Sequence, residues 1–289
     1  MKTSIYTYLC LLLMAISCTP ALAARWYNYT DHILRVGLAG GGTHHLTPNE
    51  CQMKSKIGAT GAIAVDYAFY KSLRKIDLGL RTGIDLGYLY APYKADFQHQ
   101  FTNQDYLGNH MDYSTSGTVE IAHQQLFASI PLMFALRSNG FVWNIGARVQ
   151  STVYQSGKQQ LSNPTITAHY SAYGVSITNE LITGLVAEEQ LSTILDFPTI
   201  GIECMAATEI GYEYAFKHGN AIGVMAYFQT GVWGTRAEMT HTPIINVAPI
   251  ADSNNPVPAV TINDAYHSLL TSYTPMQFGV KLYYAFNLQ

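Results

Sequence analysis

Residues 76–90, IDLGLRTGIDLGYLY, separate into two different sequences when read at every second position. One parity is Ile76, Leu78, Leu80, Thr82, Ile84, Leu86, Tyr88 and Tyr90; the other is Asp77, Gly79, Arg81, Gly83, Asp85, Gly87 and Leu89. Side chains of an extended chain point alternately to opposite faces, so this segment is a strand with one apolar face and one face of charges and glycines. Whichever face meets the solvent decides the class of molecule.

The same alternation recurs along the chain. It predicts strands over residues 33–42, 56–70, 76–90, 119–136, 141–154, 200–217, 221–238 and 276–288, eight in all. Three connections are short and polar, at 71–75, 137–140 and 217–220. The other four, at roughly 43–55, 92–117, 155–199 and 240–270, are long and rich in Asn, Thr, Ser, Tyr and Pro. Alternating short and long connections put the three short turns at one end together with both termini, which is how outer-membrane barrels arrange periplasmic turns and extracellular loops.

The start of the chain agrees with export. Lys2, an apolar run over 8–16 and the sequence TPALAA read as a secretory signal cleaved after Ala23, leaving 24–289 as one domain. A loose lipoprotein box ending at Cys18 is the rival reading of this segment. Without the signal the chain has one fewer basic residue than the 16 of the full sequence, against 19 acidic ones, and no basic stripe. That balance excludes nucleic acid as a partner. The apolar run falls short of the ~20 residues that a membrane helix needs, and nothing later reaches that length, so a membrane form would have to be a closed barrel.

At the strand ends nearest the short turns the apolar parity becomes aromatic: Tyr67, Phe69, Phe134, Phe141, Trp143, Tyr212, Tyr214, Phe216, Tyr284 and Phe286. Aromatics gathered at one height form the girdle of a barrel at the headgroup layer. A water-borne barrel with an apolar pocket inside is the structural rival, but it gives no reason for that ring. The apolar faces therefore point outward. The chain is expected to be all-β, a closed antiparallel up-and-down transmembrane β-barrel of eight strands. Ten is the alternative, if 170–177 and 181–195 are strands too; a short amphipathic helix begun by Asn179 is another reading of that loop.

Outward apolar faces send the charges inward. Arg35, Asp66, Asp77, Arg81, Asp85, Arg148, Glu203, Glu209, Glu213 and Lys281 then line a lumen that eight strands leave just wide enough for side chains. Buried charges must pair. The expectation is a salt-bridged plug, with a narrow channel for ions or small solutes as the alternative. Of the cysteines left after cleavage, Cys51 and Cys204 lie towards the same end and form a possible disulfide.

Several stretches resemble the outer-membrane β-barrel family common in Bacteroides-like bacteria. They are residues 58–90 as a hairpin with a short polar turn, LFASIPLMFALRSNG (126–140) as a strand entering a tight turn, and PMQFGVKLYYAFNL (275–288) as the closing strand. The resemblance implies a fold and an outer-membrane location rather than an activity. The closing strand also looks like the signal read by the barrel-assembly machinery, carried by Gln277, Gly279, Leu282, Tyr284 and Phe286. Lipid-modifying barrel enzymes set a His beside a Ser at the lipid boundary; here His123 and Ser129 share the inward parity. No enzymatic activity is therefore expected, with a lipid-modifying barrel enzyme as the further alternative. The loop histidines His44, His45, His99, His110, His169, His241 and His267 show no metal-ligand spacing, and neither metal nor cofactor is expected. The expected partners are outer-membrane lipid and lipopolysaccharide, the assembly machinery during insertion, and an extracellular ligand of the long loops.

Overall fold

A computed structural model describes residues 30–49, 51–73, 76–104, 107–172, 174–179, 192–195, 201–216, 219–232, 235–236, 243–248, 260–270 and 272–288. The signal segment lies outside them. Eight long strands make a ring: β1 (Thr30–Leu46), β3 (Gly58–Leu73), β4 (Ile76–Gln104), β5 (His110–Ser138), β6 (Phe141–Tyr170), β9 (Ile202–Ala215), β10 (Ala221–Gly231) and β14 (Ser272–Asn287). Each pairs antiparallel with its neighbour in that order, and β1 pairs with both β3 and β14, so every ring strand has two partners. The register at the seam runs from Ile33 opposite Asn287 to Leu46 opposite Thr274.

Local chemistry fixes the hairpins. Ser138 and Phe141 pair across a two-residue loop in which Asn139 (φ 49°) and Gly140 (φ 83°) both take positive φ. That is the type I′ geometry, whose twist matches the flanking strands and which Asn-Gly adopts at low cost. Other glycines serve close approach: a Cβ at Gly41 would lie 2.0 Å from the Phe278 carbonyl oxygen, and at Gly211 2.0 Å from that of Val224.

The ring strands are unequal. Strands β4, β5 and β6 run to 29, 29 and 30 residues, against 17, 16, 14, 11 and 16 for β1, β3, β9, β10 and β14. A barrel strand needs only ~9–11 residues to cross lipid, so these three rise well above the rest as a three-stranded wall. The segment 92–117, expected as a loop, is therefore mostly strand, paired up to Gln104 opposite His110. The first part of 155–199 likewise continues β6.

Two short strands, β7 (Val175–Asn179) and β8 (Ser192–Leu195), answer the question of ten. Both pair with the upper part of β6, at 166–170 and 157–160, above the place where β9 joins it. They extend the wall sideways and add nothing to the ring, which stays at eight. Asn179, expected to begin a helix, ends β7, and residues 192–195 are strand as well; the remainder of the expected helix lies outside the described residues. The expected strand 221–238 ends at Gly231, and β11 (Thr235–Arg236) pairs separately with the start of β14. Smaller pieces complete the outer end: β2 (Lys54–Ser55) on β4, the hairpin β12 (Ile245–Val247) with β13 (Val260–Ile262), and a one-turn helix, Ala265–Leu269. Asp264 caps that helix, accepting from the Tyr266 amide at 2.7 Å.

Candidate functional site

Two interiors stand one above the other, built from the same inward parity. Along β4 the inward positions are Asp77, Gly79, Arg81, Gly83, Asp85 and Gly87, then Leu89, Ala91, Tyr93, Ala95 and Phe97. Outward, the order is reversed: Leu80, Ile84, Leu86 and Tyr88 are exposed at 56%, 57%, 58% and 41%, whereas the exposed positions above them are Lys94, Asp96, Gln98 and Gln100. β5 and β6 invert at the same rows, Gln124 opposite Tyr90 and Lys158 opposite Ala122. A one-residue bulge at Val153 in β6 leaves both Val153 and Tyr154 exposed and keeps the inward set inward above it.

The lower interior is ionic. Arg81 reaches Asp66 at 2.7 Å and also bonds Glu209; Lys281 reaches the same Asp66 oxygen at 2.5 Å. Arg148 reaches Asp85 at 2.6 Å and Glu209 at 3.5 Å, and Asn144 donates to Glu209 at 3.2 Å. Three cations thus meet three carboxylates, and all six are buried. One layer nearer the short turns Arg35 reaches Glu213 at 2.6 Å and Tyr70 Oη at 2.7 Å, with Tyr283 Oη donating to Glu213 at 2.8 Å. The Arg35 guanidinium lies 5.1 Å from the centre of the Tyr283 ring. Above the ions, Gln229 donates to Gln277 at 2.6 Å and Gln277 to Gln150 at 3.4 Å. Between these layers a cavity of about 20 Å³ touches Asp85, Arg148, Glu209 and Lys281, space for about one water.

Two expected members sit elsewhere. Asp77 is at the short-turn rim, accepting from Ser72 at 2.7 Å and from Arg137 at 2.9 Å; Arg137 also bonds Asp31. Glu203 is at the outer end, accepting from Tyr273 Oη at 3.3 Å. Arg137, Asp31, Tyr70, Tyr283 and Asn144 were not anticipated. Only the pairing across the lumen, between residues as far apart as 35 and 213, exposes their roles.

The expected girdle residues lie on the outward parity. Tyr67, Phe69, Phe134, Phe141, Trp143, Tyr212, Tyr214, Phe216 and Phe286 are all exposed, and Tyr284 is half-buried against Phe286, with ring centres 4.7 Å apart. A second set, Tyr88 and Tyr154, flanks Leu126 in one row at the level of the inversion. In β14, Leu282 and Phe286 face out, Gln277 is buried, and a Cβ at Gly279 would meet the Gly40 carbonyl oxygen at 2.2 Å.

The upper interior is apolar and capped. Met53, Tyr93, Phe97, Met111, Ile121 and Leu161 of the wall side pack with Ile244, Ile245, Tyr266, Leu270 and Tyr273. The fourth outer segment is thereby folded onto the wall. Backbone contacts hold it: Gln159 donates to Asn263 O at 3.1 Å and accepts from the Ala265 amide at 2.8 Å. His45 bonds Tyr93 Oη and stacks on Tyr273 with centres 4.5 Å apart; His123 contacts Gln155 at 3.3 Å and lies 5.9 Å from the Tyr266 ring. Burial pushes the His45 imidazole down to about 3 and the His123 imidazole to about 4, so both are neutral at pH 7. The possible disulfide is not formed. Cys51 is buried in this core with its thiol donating to Leu269 O at 3.1 Å, whereas Cys204 takes the outward parity of β9 opposite Val149; both are free thiols.

At the tip of the wall a recess of about 410 Å³ is lined by Phe101, Thr102, Asp112, Tyr113, Thr167 and His169, among others. Phe101 stacks on Tyr113 at 5.4 Å. Thr102, Asp112, His169 and Ser176 stand in one row across four strands. Thr102 donates to Asp112 at 2.7 Å, and His169 shares a hydrogen bond with Ser176 at 2.9 Å. Phe101 and Tyr113 take the inward parity, so the recess presents outward the donors and acceptors of Thr102, Asp112, Thr167 and His169, which suit a polar ligand.

No protein-family model matches the chain, and no curated protein does. Among solved structures it is similar to the outer membrane protease OmpT from Escherichia coli, with 9% identity and a TM-score of 0.27 over 90% of this chain and 97% of that one. The likeness is to a protein of the outer membrane and does not reach the narrower Bacteroides-like group. It overturns one expectation: the parity of His123 and Ser129 gave no enzymatic activity, yet the similar structure is that of a protease, so that expectation is withdrawn. At that TM-score the likeness assigns this chain no activity.

Proposed function

We propose that the ring is a closed transmembrane β-barrel of the outer membrane, plugged by its own ion pairs, which carries a rigid extracellular wall as a surface-binding platform. The observation that carries this reading is the inversion of polarity along β4, β5 and β6. Apolar side chains outside and charges inside match hydrocarbon surroundings; above Tyr88, Leu126 and Tyr154 the polar outside and apolar inside match water. The neutral three-to-three cluster and a residual cavity of about 20 Å³ support a closed lumen. In this reading β14, with Gln277, Gly279, Leu282, Tyr284 and Phe286, is what the assembly machinery recognises, and the recess at Phe101, Asp112 and His169 takes a polar ligand from outside the cell.

The test is reconstitution of the mature chain in lipid vesicles. The protein floats with the vesicles, resists extraction by carbonate, leaves an entrapped dye inside, and is cut by external protease only in outer segments. A monomer folded in buffer without detergent contradicts the membrane reading, and rapid dye release contradicts the plug.

A further inference from the structure

On the membrane-facing side of the ring, two outward glycines stand side by side. Gly40 in β1 pairs with Gly61 in β3, and the row continues through Val280 on one side and Tyr88 and Leu126 on the other. Packing does not demand either glycine. A Cβ at Gly40 would meet nothing within 4 Å, and one at Gly61 only the Ala39 carbonyl oxygen at 3.6 Å, an ordinary contact. Inward glycines differ sharply: at Gly37, Gly79, Gly83 and Gly279 a Cβ would lie within 2.5 Å of backbone. Gly42, the next outward glycine of β1, is covered by the Phe278 ring at 2.7 Å from its Cβ position. A strand glycine that its own fold does not require weakens the strand and marks close approach by something else.

Over Gly61, beside Gly40, lies an open groove of about 620 Å³ on the outer surface, walled by Leu38, Ile63, Leu86, Tyr88, Leu126 and Val153. That volume is in the range of sites that hold small ligands. Four to six residues further up, roughly 13–20 Å at about 3.3 Å per residue, the outward face turns cationic: Lys56 precedes β3, Lys94 is on β4 and Lys158 on β6. Lys56 and Lys94 flank Glu120 at 3.2 Å and 3.5 Å, both about half exposed, and Lys158 stands outward on the neighbouring strand beside Ala122. Glu120 draws two of the ammonium groups together and leaves the three-lysine patch with a cationic excess.

We infer that this groove and lysine patch form a seat for one phosphorylated lipid of the outer leaflet, with an acyl chain over Gly61 and its phosphate at Lys56, Lys94 and Lys158. The inference rests on the membrane reading above. An acyl chain is the occupant that fits an apolar groove just below the row where that face meets water, and an anionic headgroup is the one complemented by the lysines above that row. Zwitterionic lipid lacks the net charge for the patch, and free phosphate lacks the chain for the groove.

The experiment is native mass spectrometry of the full mature chain in detergent, titrated with bisphosphorylated lipid A, with dephosphorylated lipid A, with phosphatidylcholine and with inorganic phosphate. Bisphosphorylated lipid A binds as a single discrete adduct at least tenfold more tightly than each of the others. Gly61→Leu, which fills the groove from a position with room for a side chain, and the triple variant K56Q/K94Q/K158Q each weaken it about tenfold while leaving phosphatidylcholine unchanged. Equal binding of phosphorylated and dephosphorylated lipid A, or unaltered binding by both variants, overturns the seat. Vesicle flotation of each variant accompanies the titration. A protein that floats but shows no lipid preference overturns this inference alone, and one that does not float overturns the membrane reading together with it.

Discussion

The lower and upper halves of β4 are one continuous strand with one parity, yet they are built to opposite rules. Below Tyr88 the buried face is Asp77, Arg81 and Asp85 among glycines; above it the buried face is Leu89, Tyr93 and Phe97. The comparison shows that the backbone sets only the alternation of faces. The surroundings decide which face may be apolar: hydrocarbon outside obliges the interior to hold the polar groups, whereas water outside returns the strand to an ordinary apolar core.

If that contrast is right, disturbing the lower interior has the largest effect. Arg81→Met removes the partner shared by Asp66 and Glu209 and costs about 3–5 kcal/mol, the usual penalty for stranding a buried charge. Urea unfolding from vesicles measures it, and R81M/E209Q loses less than the sum of its two single variants. Next comes the lower exterior. Ile84, 57% exposed towards the apolar surroundings, replaced by Arg costs about 2–4 kcal/mol near the bilayer midplane.

The upper half breaks in a different way, by acid. His45 and His123 fold with imidazoles lowered by burial to about 3 and about 4, among Tyr93, Tyr266, Tyr273 and Gln155, with His44 and Glu203 nearby. Unfolded, each takes up its proton below about pH 6.5. Their contribution is therefore complete above that value and is lost as pH falls from about 6.5 towards 4. Protection against hydrogen exchange, with the intrinsic pH dependence of the exchange rate divided out, falls between pH 7.5 and pH 5 in 89–97 and 119–127 and stays high in 79–85. His45→Gln with His123→Gln flattens the difference. The smallest effect sharpens the comparison from the other side: Gln98→Arg, at an outward position of the wall, shifts stability by no more than about 0.5 kcal/mol.

These two rules also explain what could be read from the chain. The eight ring strands follow from alternation because an apolar outward face running from Ile76 to Tyr90 is unmistakable. From the sequence the wall reads as loops because its polarity is reversed: in the upper part of β4 the apolar side chains are Tyr93, Ala95, Phe97 and Phe101, on the parity that below carries the charges. A reader following the apolar face loses the strand at the inversion. The inward charges were legible from parity, but not their grouping. Asp77 and Glu203 share it with Arg81 and Glu209 and stand at opposite ends of the ring, and their partners Arg137 and Tyr273 come from distant strands. The outward glycine pair was invisible as well, since only the register places Gly40 beside Gly61.

The central claim is that one strand passes from hydrocarbon to water with its faces exchanged. Nitroxide labels at single positions of β4 test it directly, with collision against oxygen and against a water-soluble nickel chelate compared in lipid vesicles. Labels at 80, 84 and 86 meet oxygen and exclude nickel, labels at 94, 96 and 98 meet nickel, and labels at 95 and 97 are shielded from both. Nickel reaching 84 and 86 as readily as 96 and 98 would contradict the account.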